Sequence, residues 1–451
     1  MKLQTVAIAL SITTLFCWES AKELPAAERP NVVLILVDDL GALDLNCYGS
    51  ADLSTDHLDG LAARGVRFSQ FYASAPVCSA SRVGFLTGRY PVRAGQPGNG
   101  PMPADEKTIA ELFAESGYDT GHVGKWHLGV GPGQSPLEQG FRSSYGHMEG
   151  CIDNYAHFFF WAGPNRHDLW RDGKEIWEDG KFFPDLMVRE CKTFLDQPRE
   201  KPFLLYWAFN APHYPYQGTD RWRKHYAKSP SPRDKYAAFV STMDESIGQV
   251  LEHLRDTGLD QNTIVVFQSD HGHSTETRAF GGGGNAGPYR GAKFSLFEGG
   301  IRVPAIIAWP NHIGRGEVRG EMGTGCDWLP TLAQYCDVDV DASTLDGKSL
   351  VDVIGSANAK SPHDVYQWQF GGNNQPQWAV RSGPWKLIGN PIDTTQSQTQ
   401  RKDSGRLKDK RFLVNLDDDP SETTNLAQQH AEIAKKLQSH RDQLITAIRS
   451  R

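Results

Sequence analysis

The stretch NVVLILVDDLG, Asn31–Gly41, holds six consecutive aliphatic residues, Val32 to Val37, followed at once by two aspartates. A strand with one wet face alternates apolar and polar residues, so an unbroken aliphatic run marks a strand covered on both faces, as in a helix-flanked parallel sheet. Phe203–Phe209 and Thr263–Phe267 read the same way, and Asp119–Gly124 and Val303–Trp309 do so more weakly. Between such runs, helical spacing is clearest at Tyr236, Phe239, Val240, Met243, Ile247, Val250, Leu251 and Leu254, closed by Gly258. Strands alternating with helices predict an α/β fold on a large, mostly parallel sheet flanked by helices.

Beyond about residue 365 the texture changes. WAVRSGPWKLI (378–388) and RFLVNL (411–416) read as two antiparallel strands joined by the polar segment 390–410, and an amphipathic helix is expected over about 431–448. The expected division is 1–21, a secretory signal; 22–365, a large domain carrying the chemistry; and 366–451, a smaller α+β subdomain. The signal rests on Lys2 and the apolar run Val6 to Trp18, which is too short for a stable membrane span. Phe16 before Cys17 disfavours a lipoprotein anchor, so a secreted or periplasmic protein is expected. GGGGNAG, Gly281–Gly287, reads as a flexible loop near a binding site.

With 39% apolar residues the 451-residue chain supports a substantial core. A net charge of −7 with no long Lys/Arg run argues against nucleic-acid binding. Of seven cysteines, six remain after signal removal, none in a C-x-x-C pair or zinc-like cluster, and their spacing gives no disulfide connectivity.

Open parallel sheets bind ligands beyond the carboxyl ends of their strands. There NVVLILVDDLG ends in Asp38 and Asp39, and IVVFQSDHG ends in Asp270 and His271. Alone, each pair reads as well as a helix cap or turn. Together, three carboxylates and an imidazole suit a divalent cation, Ca²⁺ or Mg²⁺ by the preponderance of oxygen. YDTGHVGKWHLG places Lys125 and His127 past a third run, LLYWAFNAPHYPY places His213 past a fourth, and PYRGAKFSLFEGG adds Arg290 and Lys293; His122 is assigned to packing. Local cations around a metal in an acidic protein point to a tetrahedral oxyanion, a phosphate or sulfate ester.

PVCSASRVGFLTGRYP, Pro76–Pro91, puts Cys78 at the expected start of a helix, where backbone N–H groups favour an anion. A thiolate nucleophile and a packing cysteine both fit that setting. Here the residues carry a resemblance. Cys78-Ser79-Ala80-Ser81-Arg82, followed by Leu86-Thr87-Gly88-Arg89, resembles the signature of the formylglycine-dependent sulfatases of the alkaline-phosphatase-like superfamily. NVVLILVDDLG, GKWHLG, NAPHYPY, SDHG, GAKFSLFEGGIRVPAIIAWP, WAVRSGPWKLI and NLDDDPSETTNL resemble successive blocks of that family in order, from about Pro30 to Leu426.

The resemblance implies that Cys78 is oxidised to Cα-formylglycine by a maturation enzyme, and that Asp38, Asp39, Asp270 and His271 bind Ca²⁺ together with the modified residue. It further implies a hydrated aldehyde that attacks sulfur, with His213 as acid to the leaving alcohol, Lys293 on the sulfate, His127 as base for sulfate release, and Arg82 and Lys125 holding the hydrate. His271 departs from the frequent Asn of the family, and Ala80 from its commonest Pro. The blocks look more like carbohydrate sulfatases than steroid ones, so a sulfated saccharide is expected as substrate. His147, Asn154, His273, Glu276 and Arg290 are assigned to a sugar pocket, each against an equal structural reading. The rivals are a formylglycine-dependent phosphonate monoester or phosphodiester hydrolase and an inactive secreted carbohydrate-binding relative.

Overall fold

The computed structural model describes residues 29–160, 163–372, 375–401 and 403–450; the expected signal at 1–21 lies outside the described residues. Its centre is a ten-stranded mixed sheet. Five parallel strands form the middle in the order β5-β1-β4-β2-β3: β1 (Asn31–Val37), β2 (Asp119–Lys125), β3 (Ser143–His147), β4 (Phe203–Ala208) and β5 (Thr263–Ser269).

Alternation along these strands is hidden in the sequence because both faces are apolar. Val33, Ile35 and Val37 of β1 enter one core with Leu205, Trp207 and Phe267, whereas Val32, Leu34 and Leu36 enter the other with Leu204, Tyr206 and Val266. Each successive side chain crosses the sheet, as the two-residue period of a strand demands. Helices α1 (Asp56–Ala63), α3 (Phe183–Leu195) and α4 (Arg233–Asp256) cover the first face, and α2 (Cys78–Thr87) covers the second.

Two strand expectations are corrected. The run Val303–Trp309 forms Ala305–Ala308, antiparallel to β5 rather than parallel. After β5 the chain stays at the carboxyl edge through the loop bearing Lys293, so it re-enters the sheet from that edge. WAVRSGPWKLI is not one strand but a hairpin, Gln377–Ser382 and Trp385–Gly389, within a four-stranded antiparallel sheet with Tyr366–Phe370 and Arg411–Asn415. Gly383, at φ 56, supplies the left-handed residue of the turn, and Pro384 has no N–H for a ladder. The terminal helix α5, Ala431–Arg449, packs on this sheet.

The glycine-rich segment is not loose either. A Cβ on Gly283 would stand 2.5 Å from Cβ of Tyr236 and one on Gly284 2.2 Å from Cβ of His273, so these glycines permit close packing. All six described cysteines are free thiols. Among the described residues, no helix is long and apolar enough to cross a membrane.

The start of α1 shows how α4 braces this face. Asp244 of α4 accepts from the His57 and Leu58 N–H groups at 3.1 and 2.8 Å, capping a helix whose own Thr55 makes no side-chain cap. Burial pushes the Asp244 carboxyl up to about 7, against the lowering by these two donors. Since this lies above the ordinary carboxylate value, the folded state holds an extra proton between about pH 4 and pH 7. The group's contribution therefore declines as pH rises through that window. Denaturant midpoints at pH 5 and pH 7.5 should show the difference, and Asp244→Asn should flatten it; an unchanged slope would exclude Asp244 as its source.

Candidate active site

Because β1, β2, β4 and β5 are parallel, their carboxyl ends share one edge of the sheet, and the candidate residues meet there. Val37 lies opposite Ser269 in register, so Asp38 and Asp39 follow β1 beside Asp270 and His271. The Asp270 N–H donates to Val37 O at 2.9 Å, and the Asp39 N–H lies 3.3 Å from Asp270 Oδ1. Lys125 closes β2 and donates to Asp38 Oδ2. Cys78 is the first residue of α2, with its sulfur 3.2 Å from His271 Nε2 and 3.6 Å from Asp38 Oδ1. His127 is within hydrogen-bonding reach of the same thiol.

Arg82, one helical turn on from Cys78, is fully buried. Its guanidinium reaches Asp270 at 3.1 Å and Asp38 at 3.7 Å, and donates to Lys125 O at 3.2 Å. It thus ties three strand ends to α2. Lys293 bonds Asp39 at 2.8 and 3.1 Å. His213 Nε2 stands 3.7 Å from Asp39 Oδ2, while its Nδ1 contacts Tyr214 O at 2.7 Å, which orients the ring with Nε2 toward the site.

Backbone strain accompanies this convergence. Asp39, His127 and Phe294 have φ values of 65, 57 and 72°, a left-handed conformation that non-glycine residues adopt at a cost of about 1–3 kcal/mol each. Nothing in residue type or spacing announces these positions.

The electrostatics are those of charges crowded out of water. Burial raises Asp270, and the neighbouring Asp38 carboxylate raises it further. Asp38 is lowered despite its burial, chiefly by Lys125. Burial opposes ionisation of the Cys78 thiol, but Lys125, Lys293 and His271 bring it well below its ordinary value. His271 is pushed up to about 9; its burial acts the other way, and Asp270 and the Cys78 thiolate overcome it. His127 is lowered by burial and by Lys125, which keeps the imidazole neutral and able to accept a proton.

Asp38, Asp270, His271 and Cys78 offer ligand atoms within 4.8 Å of one another, as do Asp38, Asp39, His213 and Cys78. This donor set fits a hard divalent cation. Three buried carboxylates repel one another, and a cation among them relieves the repulsion that a protonated His271 otherwise offsets.

A cavity of about 230 Å³ opens over the cluster, lined by Cys78, His127, His213 and Lys293 together with Asn99, Arg278 and three aromatic side chains, Phe159, Tyr214 and Phe294. None of the five residues assigned to a sugar pocket lines it. The Glu276 carboxylate stands 3.6 Å from Lys293 Nζ. Arg290 pairs with Asp393 at 2.7 Å and donates to Glu422 O at 2.9 Å, joining the loop that bears Lys293 to the C-terminal part of the chain. Asn154 is held in a buried amide network with Asn210 and Gln217, His147 packs against Phe183, and the His273 carbonyl accepts from the Lys293 N–H. Asn99 and Arg278 were not among the sequence candidates: Asn99 lies in a bend beyond α2, and Arg278 in a short 3₁₀ turn nine residues past the end of β5.

A family model described as Sulfatase matches residues 30–338, and one described as N-sulphoglucosamine sulphohydrolase, C-terminal, matches 292–447. Human arylsulfatase A is 33% identical over 445 residues, covering 90% of this chain and 85% of its own. Rat N-acetylgalactosamine-6-sulfatase is 35% identical over 336 residues, covering 68% of this chain and 62% of its own. The crystal structure of Ps i-CgsB in complex with k-i-k-neocarrahexaose superposes with a TM-score of 0.81 at 28% identity, covering 92% of this chain and 93% of that one.

Proposed function

The chain belongs to the sulfatase family of sulfate ester hydrolases, in the alkaline-phosphatase-like superfamily, and on that premise we propose that it desulfates a carbohydrate, with Cys78 in its Cα-formylglycine form as nucleophile and Ca²⁺ as resident metal. The observation that carries this reading is the convergence of Cys78, at the start of α2, with three buried aspartates and with Lys125, Lys293 and Arg82 at one sheet edge. Asp38, Asp39, Asp270 and His271 would hold the cation, which supplies Lewis acidity toward the sulfate oxygens.

The chain's own residues account for the remaining requirements. Lys293 and Lys125 place positive charge where the sulfate must sit, in a site almost closed to water, where such charge acts strongly. Arg82 fixes Asp38 and Asp270 through its two-sided contact. His213, oriented by Tyr214 O, can deliver a proton from Nε2 to a departing alcohol, and neutral His127 can take one at the Cys78 side. The aromatic rings in the cavity suit the apolar face of a sugar, which supports a saccharide substrate, as does the hexaose bound by Ps i-CgsB. Export by residues 1–21 would place the enzyme where polymeric substrates are met.

The test is parallel turnover, by one preparation, of an aryl sulfate, an aryl phosphodiester and a panel of defined sulfated oligosaccharides. A preference for the diester would replace this reading with a phosphonate monoester or phosphodiester hydrolase, and failure on every saccharide would remove the substrate class. His213→Ala is expected to lower kcat on a saccharide by about 10²–10⁴-fold. On nitrophenyl sulfate, whose leaving group departs without a proton, the loss should be much smaller. Equal losses on the two substrates would remove His213 from the acid role.

A further inference from the structure

Away from the catalytic cluster, His157, His167 and Asp179 bring one ligand atom each within 4.8 Å of one another. His157 is fully buried and His167 is 8% exposed, while Asp179 reaches solvent. Each imidazole is anchored through one nitrogen. His157 Nε2 lies 3.0 Å from Lys181 O, and His167 Nδ1 lies 2.9 Å from Glu175 Oε1. The opposite nitrogens, His157 Nδ1 and His167 Nε2, are buried without a hydrogen-bond partner.

Two orphaned buried ring nitrogens are costly unless something takes them up, and these two histidines each bring a ligand atom within 4.8 Å of the other and of the Asp179 carboxylate. An acceptor on the far nitrogen holds the proton there and leaves a lone pair on the near one, which is the arrangement that orients metal-ligating histidines. Trp177 stacks on the His167 ring at 3.8 Å between centroids, covering one face of the ring.

We propose that His157 Nδ1, His167 Nε2 and the Asp179 carboxylate form a second metal site, selective for zinc, with a fourth position open to water on the Asp179 side. Two imidazoles and one carboxylate suit a borderline transition cation rather than Ca²⁺ or Mg²⁺. Tetrahedral zinc needs ligand atoms about 3.3 Å apart; the three lie within 4.8 Å, and Asp179, exposed on a turn, has room to adjust. The site gives the neighbouring hairpin, Phe158–Phe159 paired with Arg166–His167, a fixed base. That hairpin supplies Phe159 to the catalytic cavity, and its Arg166 pairs with Glu149, another residue of the cavity wall. The ion would thus hold the rim of the substrate site without touching the chemistry, whatever ester the enzyme cleaves.

The test uses the full-length protein, stripped of metal and returned to excess Ca²⁺, then titrated with Co²⁺ alone. One equivalent is expected to bind with the intense visible absorption of a tetrahedral ion, and Zn²⁺ should displace it. Asp179→Ala, a surface change that leaves the core intact, should abolish the absorption. Glu175→Gln should weaken Co²⁺ binding by about 10–100-fold through loss of the anchor on His167. Asp270→Asn should leave the signal in place. The proposal is overturned if no saturable absorption develops, or if the signal survives Asp179→Ala and disappears in Asp270→Asn, which would assign the ion to the catalytic cluster.

Discussion

Cys78→Ala is expected to turn over an aryl sulfate at least about 10⁴-fold more slowly than the parent, since loss of a nucleophile leaves only the surrounding electrostatics. Alanine removes the atom lying 3.2 Å from His271 and 3.6 Å from Asp38 but leaves Lys125, Lys293 and the aspartates in place. The variant should therefore keep its melting temperature and still bind sulfated ligand. Steady-state kinetics with thermal melting decide the matter: a kcat within tenfold of the parent would end the role of Cys78 as nucleophile, whatever its oxidation state.

The second large effect concerns stability. Lys386, on the strand Trp385–Gly389, is fully buried between Glu298 and Glu422, at 2.8 and 3.0 Å. Glu298 also accepts from Tyr72 and Arg302 and is held below the ordinary carboxylate value; its burial opposes this, and Lys386 and Arg302 prevail. Burial and the adjacent Glu298 raise Glu422. Lys386→Met leaves both carboxylates without their shared cation, and breaking a buried pair in this way costs about 3–5 kcal/mol. Adding Glu422→Gln to that variant should recover most of the loss, because the remaining carboxylate, Glu298, keeps its pair with Arg302 at 3.1 Å. Equilibrium denaturation measures both effects, and a loss under about 1 kcal/mol for Lys386→Met would show that water reaches the triad.

How far the sequence carries can be judged from particular residues. β1 was legible because six buried aliphatic residues admit few alternatives, and Asp38, Asp39, Asp270 and His271 follow from the rule that parallel strands present their ends together. Strand direction was not legible at Val303–Trp309: apolarity reports burial, while direction depends on which edge of the sheet the preceding loop occupies. The strained φ values at Asp39 and His127 leave no trace in composition, because each is imposed by neighbours remote in sequence. Arg290 shows a related limit. An arginine near a glycine loop suggests a ligand, and only the fold shows Asp393 and Glu422 O taking its Nε and one Nη donor.

The complete enclosure of α2 bears on the order of events in the life of the chain. From Cys78 to Thr87 every residue is buried, and Trp368 on the first strand of the C-terminal sheet donates from its indole to Ala73 O, five residues before the helix. If Cys78 is oxidised as proposed, an agent that grips the backbone around it would find those residues free in the unfolded chain and enclosed in this fold. Ala80, the third residue of that helix and fully buried, would then be legible to such an agent only before there is a fold to place it in.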